Sequence, residues 1–222
     1  SRGLNIYAET CPQYLFLTAN DLESEGFEGA KYICSPPPRT SKDQEKIWLG
    51  IKTGVFQVFS SDHAPFRFGG NQGKQVEGSQ TRFCNVPNGI PGIETRLPLL
   101  MSEGVLGERI DIQKFVSLTS TGPAKIYGLY PRKGTIAPGS DADLIIWDTE
   151  NKFTLSNSLL HHNVDYTPYE GLELKAWPKS VISRGELIVH NGDLRAKLGR
   201  GIFLKSDLPM PARTFEKSSL LD

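Results

Sequence analysis

The 222-residue sequence has no His-x-His pair, no HExxH helix signature, no GxSxG elbow and no glycine-rich phosphate loop after a strand. Without the first two, the chain cannot by itself supply a familiar catalytic metal site. Without the others, there is no serine-elbow or phosphate-loop chemistry to build on. Cysteine is scarce. Cys11, Cys34 and Cys84 stand at unrelated spacings that make neither a disulfide framework nor a CxxC metal knuckle, which favours a reducing, cytoplasmic compartment. Cys34 and Cys84 are expected to act as small buried hydrophobes. Net charge is also missing, since 25 basic residues balance 25 acidic ones, so no overall field favours nucleic acid or a membrane surface. A neutral small molecule is the expected partner. No apolar run approaches the ~20 residues of a membrane helix, and the start lacks a basic-then-apolar signal pattern. The chain opens on Ser1 without a methionine and enters a strand-like run (Leu4, Ile6, Tyr7) almost at once, as expected of a cut piece of a longer protein, with an ordinary processed N-terminus as the alternative.

What is present alternates. From residue 1 to about 130, short apolar runs exchange with segments of helical period, the pattern of βα units around a parallel sheet. Ser41-Lys42-Asp43-Gln44 has capping-box spacing, Ile47, Trp48 and Ile51 share a face, and Gly54 falls where a left-handed stop belongs. Val55 to Phe59 then reads as a buried strand that ends at Asp62. Further helices are expected near Pro91, with Ile93, Leu97 and Leu100 inward, and near Asp111, with Ile112, Phe115 and Val116 inward. A last one has Pro123 in its first turn and Gly128 as its stop, and Lys125 and Tyr127 read as its surface and its packing face. Residues 66–88 carry no apolar period and read as a long loop, a feature often functional in compact domains. Residues 131–196 are β-rich: Gly134-Thr135-Ile136, a Pro138-Gly139 turn, Leu144 to Trp147, then Val181-Ile182 and Leu187 to Val189 around Arg184-Gly185. Residues 197–222, with Pro209 and Pro211, read as an extended tail that wraps a neighbouring subunit or stays disordered.

Asp62 is the foremost candidate for chemistry, because a carboxylate after an apolar strand stands where α/β barrels gather their active sites. The bland alternative is that it caps the next turn. His63 fits a packing or hydrogen-bonding role better than a metal ligand. His161 and His162 are adjacent, so their side chains diverge in either a strand or a helix and do not converge on one ion. His190 reads as a strand-end surface residue.

Several blocks together carry a resemblance: Glu9-Thr10-Cys11-Pro12-Gln13-Tyr14, Cys34-Ser35-Pro36-Pro37, Ser61-Asp62-His63-Ala64-Pro65-Phe66, Pro87 to Arg96, and Leu118-Thr119-Ser120-Thr121 leading to Pro123 through Gly128. It continues through Lys133 to Leu144 and His161 to Gly171. In this order the chain resembles the C-terminal half of dihydropyrimidinases and D-hydantoinases of the amidohydrolase superfamily. The resemblance implies an α/β fold: the second half of a (β/α)8 hydrolase barrel over 1–130, part of a β-sandwich over 131–196, and a tail over 197–222. It implies hydrolytic ring opening of cyclic amides such as 5,6-dihydropyrimidines and hydantoins, in pyrimidine catabolism, by a homotetramer. The implied cofactor is two zinc ions bridged by a carboxylated lysine and a hydroxide.

On that pattern Asp62 is both metal ligand and catalytic acid–base, taking the proton of the attacking hydroxide and passing it to the departing ring nitrogen. Ser35 and Asn88 would bind substrate through main-chain atoms. The remaining ligands, four histidines and the lysine, would lie upstream of Ser1, so residues 1–222 alone are expected to be inactive. Three rivals stand beside this reading: a non-catalytic scaffold on the same fold, an allantoinase or dihydroorotase, and a binding module centred on the β-rich part.

Overall fold

The computed structural model describes residues 6–210, so Leu4 of the expected N-terminal strand and Pro211 of the tail lie outside the described residues. Strand β1 (Glu9–Thr10) is followed by two one-turn helices, α1 (Gln13–Phe16) and α2 (Ala19–Leu22), and then by the longer α3 (Ser41–Lys52). Helix α3 leads to β2 (Val58–Phe59), which lies parallel to β1 with Glu9 beside Val58 and Thr10 beside Phe59. Parallel neighbours need a crossover connection, and α3 provides it.

The inward stripe of α3 is the expected one, with Trp48 and Ile51 buried and Ile47 packed on the same cluster. Its cap lies one residue earlier than expected. Thr40, not Ser41, accepts from the Asp43 N–H (3.4 Å), and the Asp43 carboxylate accepts from the Thr40 N–H (3.2 Å). A carboxylate at the third helical position returns the bond and, being charged, suits the helix's positive end better than the neutral Gln44 amide would. Gly54 ends the segment at φ +79°. The strand after it is shorter than expected. Only Val58 and Phe59 pair, while Val55 is exposed.

The stretch 66–88 is not structureless. It contains β3 (Val76–Ser79) and a 3-10 turn at Phe83–Asn85, and the Asp165 carboxylate pins it by accepting from the N–H groups of Phe68 (2.7 Å) and Gly69 (3.0 Å). The next helix, α4 (Arg96–Leu99), starts five residues later than expected. Its preceding N–H groups, on Gly92 and Ile93, are taken by His63, which leaves Ile93 exposed instead of inward. After α4 the chain widens into a π-helical turn (Leu100–Val105), and α5 (Ile112–Val116) begins at Asp111, whose carboxylate caps the Lys114 N–H at 2.6 Å. Phe115 and Leu118 are buried, but Ile112 and Val116 are exposed. The latter pair lie four apart on one side of a helix too short to bury both sides. Helix α6 (Gly122–Ile126) carries Pro123 in its first turn and stops at Gly128 (φ +66°), with Tyr127 exposed and not packed.

The β-rich part comprises β4 (Leu144–Asp148), β5 (Phe153–Thr154), β6 (Glu173–Leu174), β7 (Trp177–Ser183), β8 (Glu186–His190) and β9 (Asp193–Leu194). Four of these form an antiparallel sheet in the order β4-β7-β8-β9, and β5 pairs with β6. Arg184 and Gly185 join β7 to β8 with positive φ at both (51° and 78°), as a type I′ hairpin turn requires. Gly134 to Ile136 is not a strand. A Cβ on Gly134 would fall 2.6 Å from the Ala124 Cβ, so this segment is a close approach to α6, and Ile136 is exposed.

Two apolar clusters hold these parts together. One joins Trp48, Ile51, Phe59 and Leu118 to Ala176, and the other joins Leu17, Cys34 and Ile90 to Tyr169 and Leu174. Cys34 is buried as expected, and Cys84 is exposed. The described part of the tail returns to α6, where the Met210 N–H donates to the Lys125 carbonyl (2.8 Å).

Candidate functional site

Three segments distant in sequence are stitched side by side just past β2. The Ala64 N–H donates to the Ile90 carbonyl (3.0 Å), and the Gly89 N–H donates to the Ile33 carbonyl (3.0 Å). His63 and Ile90 form a parallel bridge. Thus 33–35, 62–64 and 88–90 make one surface. Gly89 is what lets them approach. It sits at φ +146°, and a Cβ there would lie 2.4 Å from the Ala64 Cβ.

On this surface Asp62 is exposed and adopts φ +45°, in the left-handed region that non-glycine residues enter at a cost and that recurs at functional sites. Buried Gln13, delivered by α1, points its amide nitrogen at Asp62 Oδ2 from 3.4 Å, and its own Oε1 has no partner among the described residues. Ser35 and Asn88 come together, the Asn88 amide donating to Ser35 Oγ at 2.9 Å. Among the described residues no hydrogen bond engages the main-chain N–H or C=O of either one. Each therefore carries a main-chain donor and acceptor without a protein partner among the described residues.

His63 accepts from the N–H groups of Gly92 (3.0 Å) and Ile93 (3.2 Å) at Nδ1. That bonding makes His63 a brace between the end of β2 and the 92–93 segment, the hydrogen-bonding role expected of it, and burial lowers its pKa. A recess of about 500 Å³ beside it is bordered by Ile93, Glu94, His161 and His162. The two adjacent histidines diverge as expected: His161 Nδ1 meets Glu94 (2.8 Å) and His162 Nε2 meets Asn157 (2.7 Å). His190, at the end of β8, bonds Ser180 Oγ through Nδ1 at 2.9 Å.

Burial pushes the Cys11 and Cys34 thiols up to about 11, so neither is a thiolate nucleophile at neutral pH. No group of three His, Cys, Asp or Glu side chains that could hold a metal occurs among the described residues. Asp62 is exposed and has a carboxylate to offer an ion.

Two residues near this surface carry weight that the sequence did not announce. Gln13 sits inside one of the recognised blocks, yet its contact with Asp62 becomes visible only when α1 and the end of β2 are adjacent. Lys74 looks like an isolated charge in a polar loop, and it is fully buried. Its one local signal is the tight Gly73 before it.

The chain belongs to the Amidohydrolase family, whose pattern matches residues 18–188. Within that family it is similar to the D-hydantoinase of Rhizobium radiobacter, at 46% identity over 192 residues, covering 86% of this chain and 41% of the relative. Among solved structures it is similar to the D-hydantoinase from Bacillus sp. AR9, with a TM-score of 0.88, 45% identity, and coverage of 94% of this chain and 45% of that one. The dihydropyrimidinase from Brevibacillus agri NCHU1002 matches with a TM-score of 0.82 at 45% identity, covering 87% of this chain and 41% of that one. The chain thus spans about two-fifths of the length of these relatives. No described helix is long and apolar enough to cross a membrane.

Proposed function

We propose that this chain is the C-terminal half of a cyclic-amide hydrolase that opens hydantoin or dihydropyrimidine rings. In that reading residues 1–130 complete a (β/α)8 barrel, 131–196 contribute part of a β-sandwich, and 197–222 form a tail. The observation that carries it is the stitched surface of 33–35, 62–64 and 88–90, which sets the exposed Asp62 beside segments with free main-chain groups at Ser35 and Asn88. The names of the relatives, D-hydantoinase and dihydropyrimidinase, support the same substrate class.

Asp62 would act as general acid–base, accepting a proton from the attacking water and returning it to the ring nitrogen as the amide bond opens. A carboxylate within about 3 Å of both atoms contributes on the order of 10²–10⁴-fold. The N–H and C=O groups of Ser35 and Asn88 would pair with the imide edge and orient the ring carbonyl toward the attack. Asp62 also fits one position in a two-zinc cage whose other ligands would lie outside this chain. Bound zinc would contribute a lowered water pKa and a polarised carbonyl.

The test is ring opening of hydantoin and dihydrouracil by the full-length polypeptide that carries this chain. Asp62→Asn is expected to lower kcat by about 10²–10⁴-fold, and residues 1–222 alone with zinc are expected to show negligible turnover. Retention of activity within tenfold of wild type by Asp62→Asn, or robust turnover by 1–222 alone, would refute the assignment.

A further inference from the structure

Lys74 poses a physical problem. Its side chain is wholly buried, and Nζ donates to two main-chain carbonyls, Ile33 (3.2 Å) and Pro87 (3.1 Å). Among the described residues no carboxylate pairs with it. An ammonium sealed from water with only neutral acceptors costs free energy, and an apolar side chain of similar length would serve packing better.

The loop is shaped to deliver that ammonium. The Lys74 N–H donates to the Arg67 carbonyl (2.7 Å) and the Gln75 N–H to the Phe68 carbonyl (3.0 Å), closing a tight loop over 67–75. At Gly73 a Cβ would come within 2.4 Å of the Gly69 carbonyl oxygen, so only glycine turns the chain inward there. Asp165 anchors the outer end of the loop through Phe68 and Gly69.

The two carbonyls it holds are not arbitrary. The Pro87 carbonyl and the Asn88 N–H belong to one planar peptide unit, so fixing the oxygen aims that N–H in the opposite direction. A positive charge on the oxygen also polarises the unit and strengthens the N–H as a donor. Ile33 opens the stretch that reaches Ser35, and its carbonyl already accepts from the Gly89 N–H. Lys74 is therefore the charged link between two segments otherwise joined by the Gly89–Ile33 and Asn88–Ser35 hydrogen bonds.

We propose that Lys74 is a positioning residue for ring recognition: by gripping the Ile33 and Pro87 carbonyls it sets the spacing and peptide orientation with which Ser35 and Asn88 meet the substrate. This rests on the substrate role proposed for those two residues. Lys74 touches neither substrate nor Asp62, so its effect belongs in binding and not in the proton transfer.

The experiment uses the full-length polypeptide with Lys74→Met, which keeps the length and removes the donors, and Lys74→Gln, which retains a shorter donor. KM for hydantoin is the deciding readout because it does not depend on the fraction of a preparation that is folded. For Lys74→Met it is expected to rise about tenfold, with a smaller rise for Lys74→Gln, while kcat per bound metal stays within about threefold and metal content is unchanged. An unchanged KM in folded Lys74→Met overturns the inference, as does a joint fall of kcat and metal content, or failure of both variants to fold. Absence of ring opening by the wild-type polypeptide overturns the proposed function itself, a result separable from an active wild type with an indifferent Lys74.

Discussion

Replacing Gly89 by alanine adds one methyl group at the point where the stitched segments are closest. The new Cβ would sit 2.4 Å from the Ala64 Cβ and 3.0 Å from the Ala64 carbonyl oxygen. Carbon atoms prefer about 3.5–4.0 Å, so the segment 88–90 must withdraw by an ångström or more. The bonds in the way are Ala64 N–H to Ile90 (3.0 Å) and Gly89 N–H to Ile33 (3.0 Å), each worth about 1 kcal/mol. Holding a non-glycine residue at φ +146° adds about 1–3 kcal/mol of backbone strain. Together Gly89→Ala should destabilise the fold by about 3–5 kcal/mol, read as the shift in extrapolated unfolding free energy in urea. Ala64→Gly in the same background removes the carbon–carbon clash but leaves the carbonyl contact and the strained φ. The double variant should therefore be more stable than Gly89→Ala by about 1 kcal/mol or more, a coupling the two single changes do not predict. A Gly89→Ala protein within about 0.5 kcal/mol of wild type, or strictly additive effects, would show that the close approach is not what holds these segments in register.

Two other outcomes follow from particular contacts. Burial drops the Lys74 pKa from its ordinary 10.5 to about 8, which corresponds to about 3 kcal/mol held against the folded state while the lysine is charged. Between about pH 8 and 10.5 the unfolded chain binds more protons than the folded one, so stability relative to Lys74→Met should rise with pH across that window. A flat difference in unfolding midpoint over the window would contradict the burial. At the start of α3, Thr40→Ala should cost about 1 kcal/mol, and Ser41→Ala should cost a few tenths at most. A larger loss for Ser41→Ala than for Thr40→Ala in paired denaturation curves would return the cap to Ser41.

The amino-acid sequence by itself determined whatever depends on neighbours within a turn or two. Helix α3 with its Ile47-Trp48-Ile51 stripe, the stops at Gly54 and Gly128, and the strands around Arg184-Gly185 were legible because periodicity and left-handed glycines act locally. The divergence of His161 and His162 was legible for the same reason. Where the local reading failed, a distant group had intervened. His63, about thirty residues upstream, accepts from the N–H groups of Gly92 and Ile93 and ties that segment to the end of β2, and the regular helix α4 begins only at Arg96. Ile112 and Val116 have the right hydrophobicity for a core, but Phe115 occupies the side of α5 that faces it, continued by Leu118 in the turn that follows. Asp62 could be singled out because it follows an apolar run. Its relation to Gln13, and the nearness of Ser35 to Asn88, came only from folding, which joins groups 49 and 53 residues apart. Lys74 shows the division most sharply. A lone lysine among glycines and polar residues reads as solvated, because burying an ammonium is unfavourable until carbonyls from two other segments converge on it, and that convergence belongs to the tertiary structure alone.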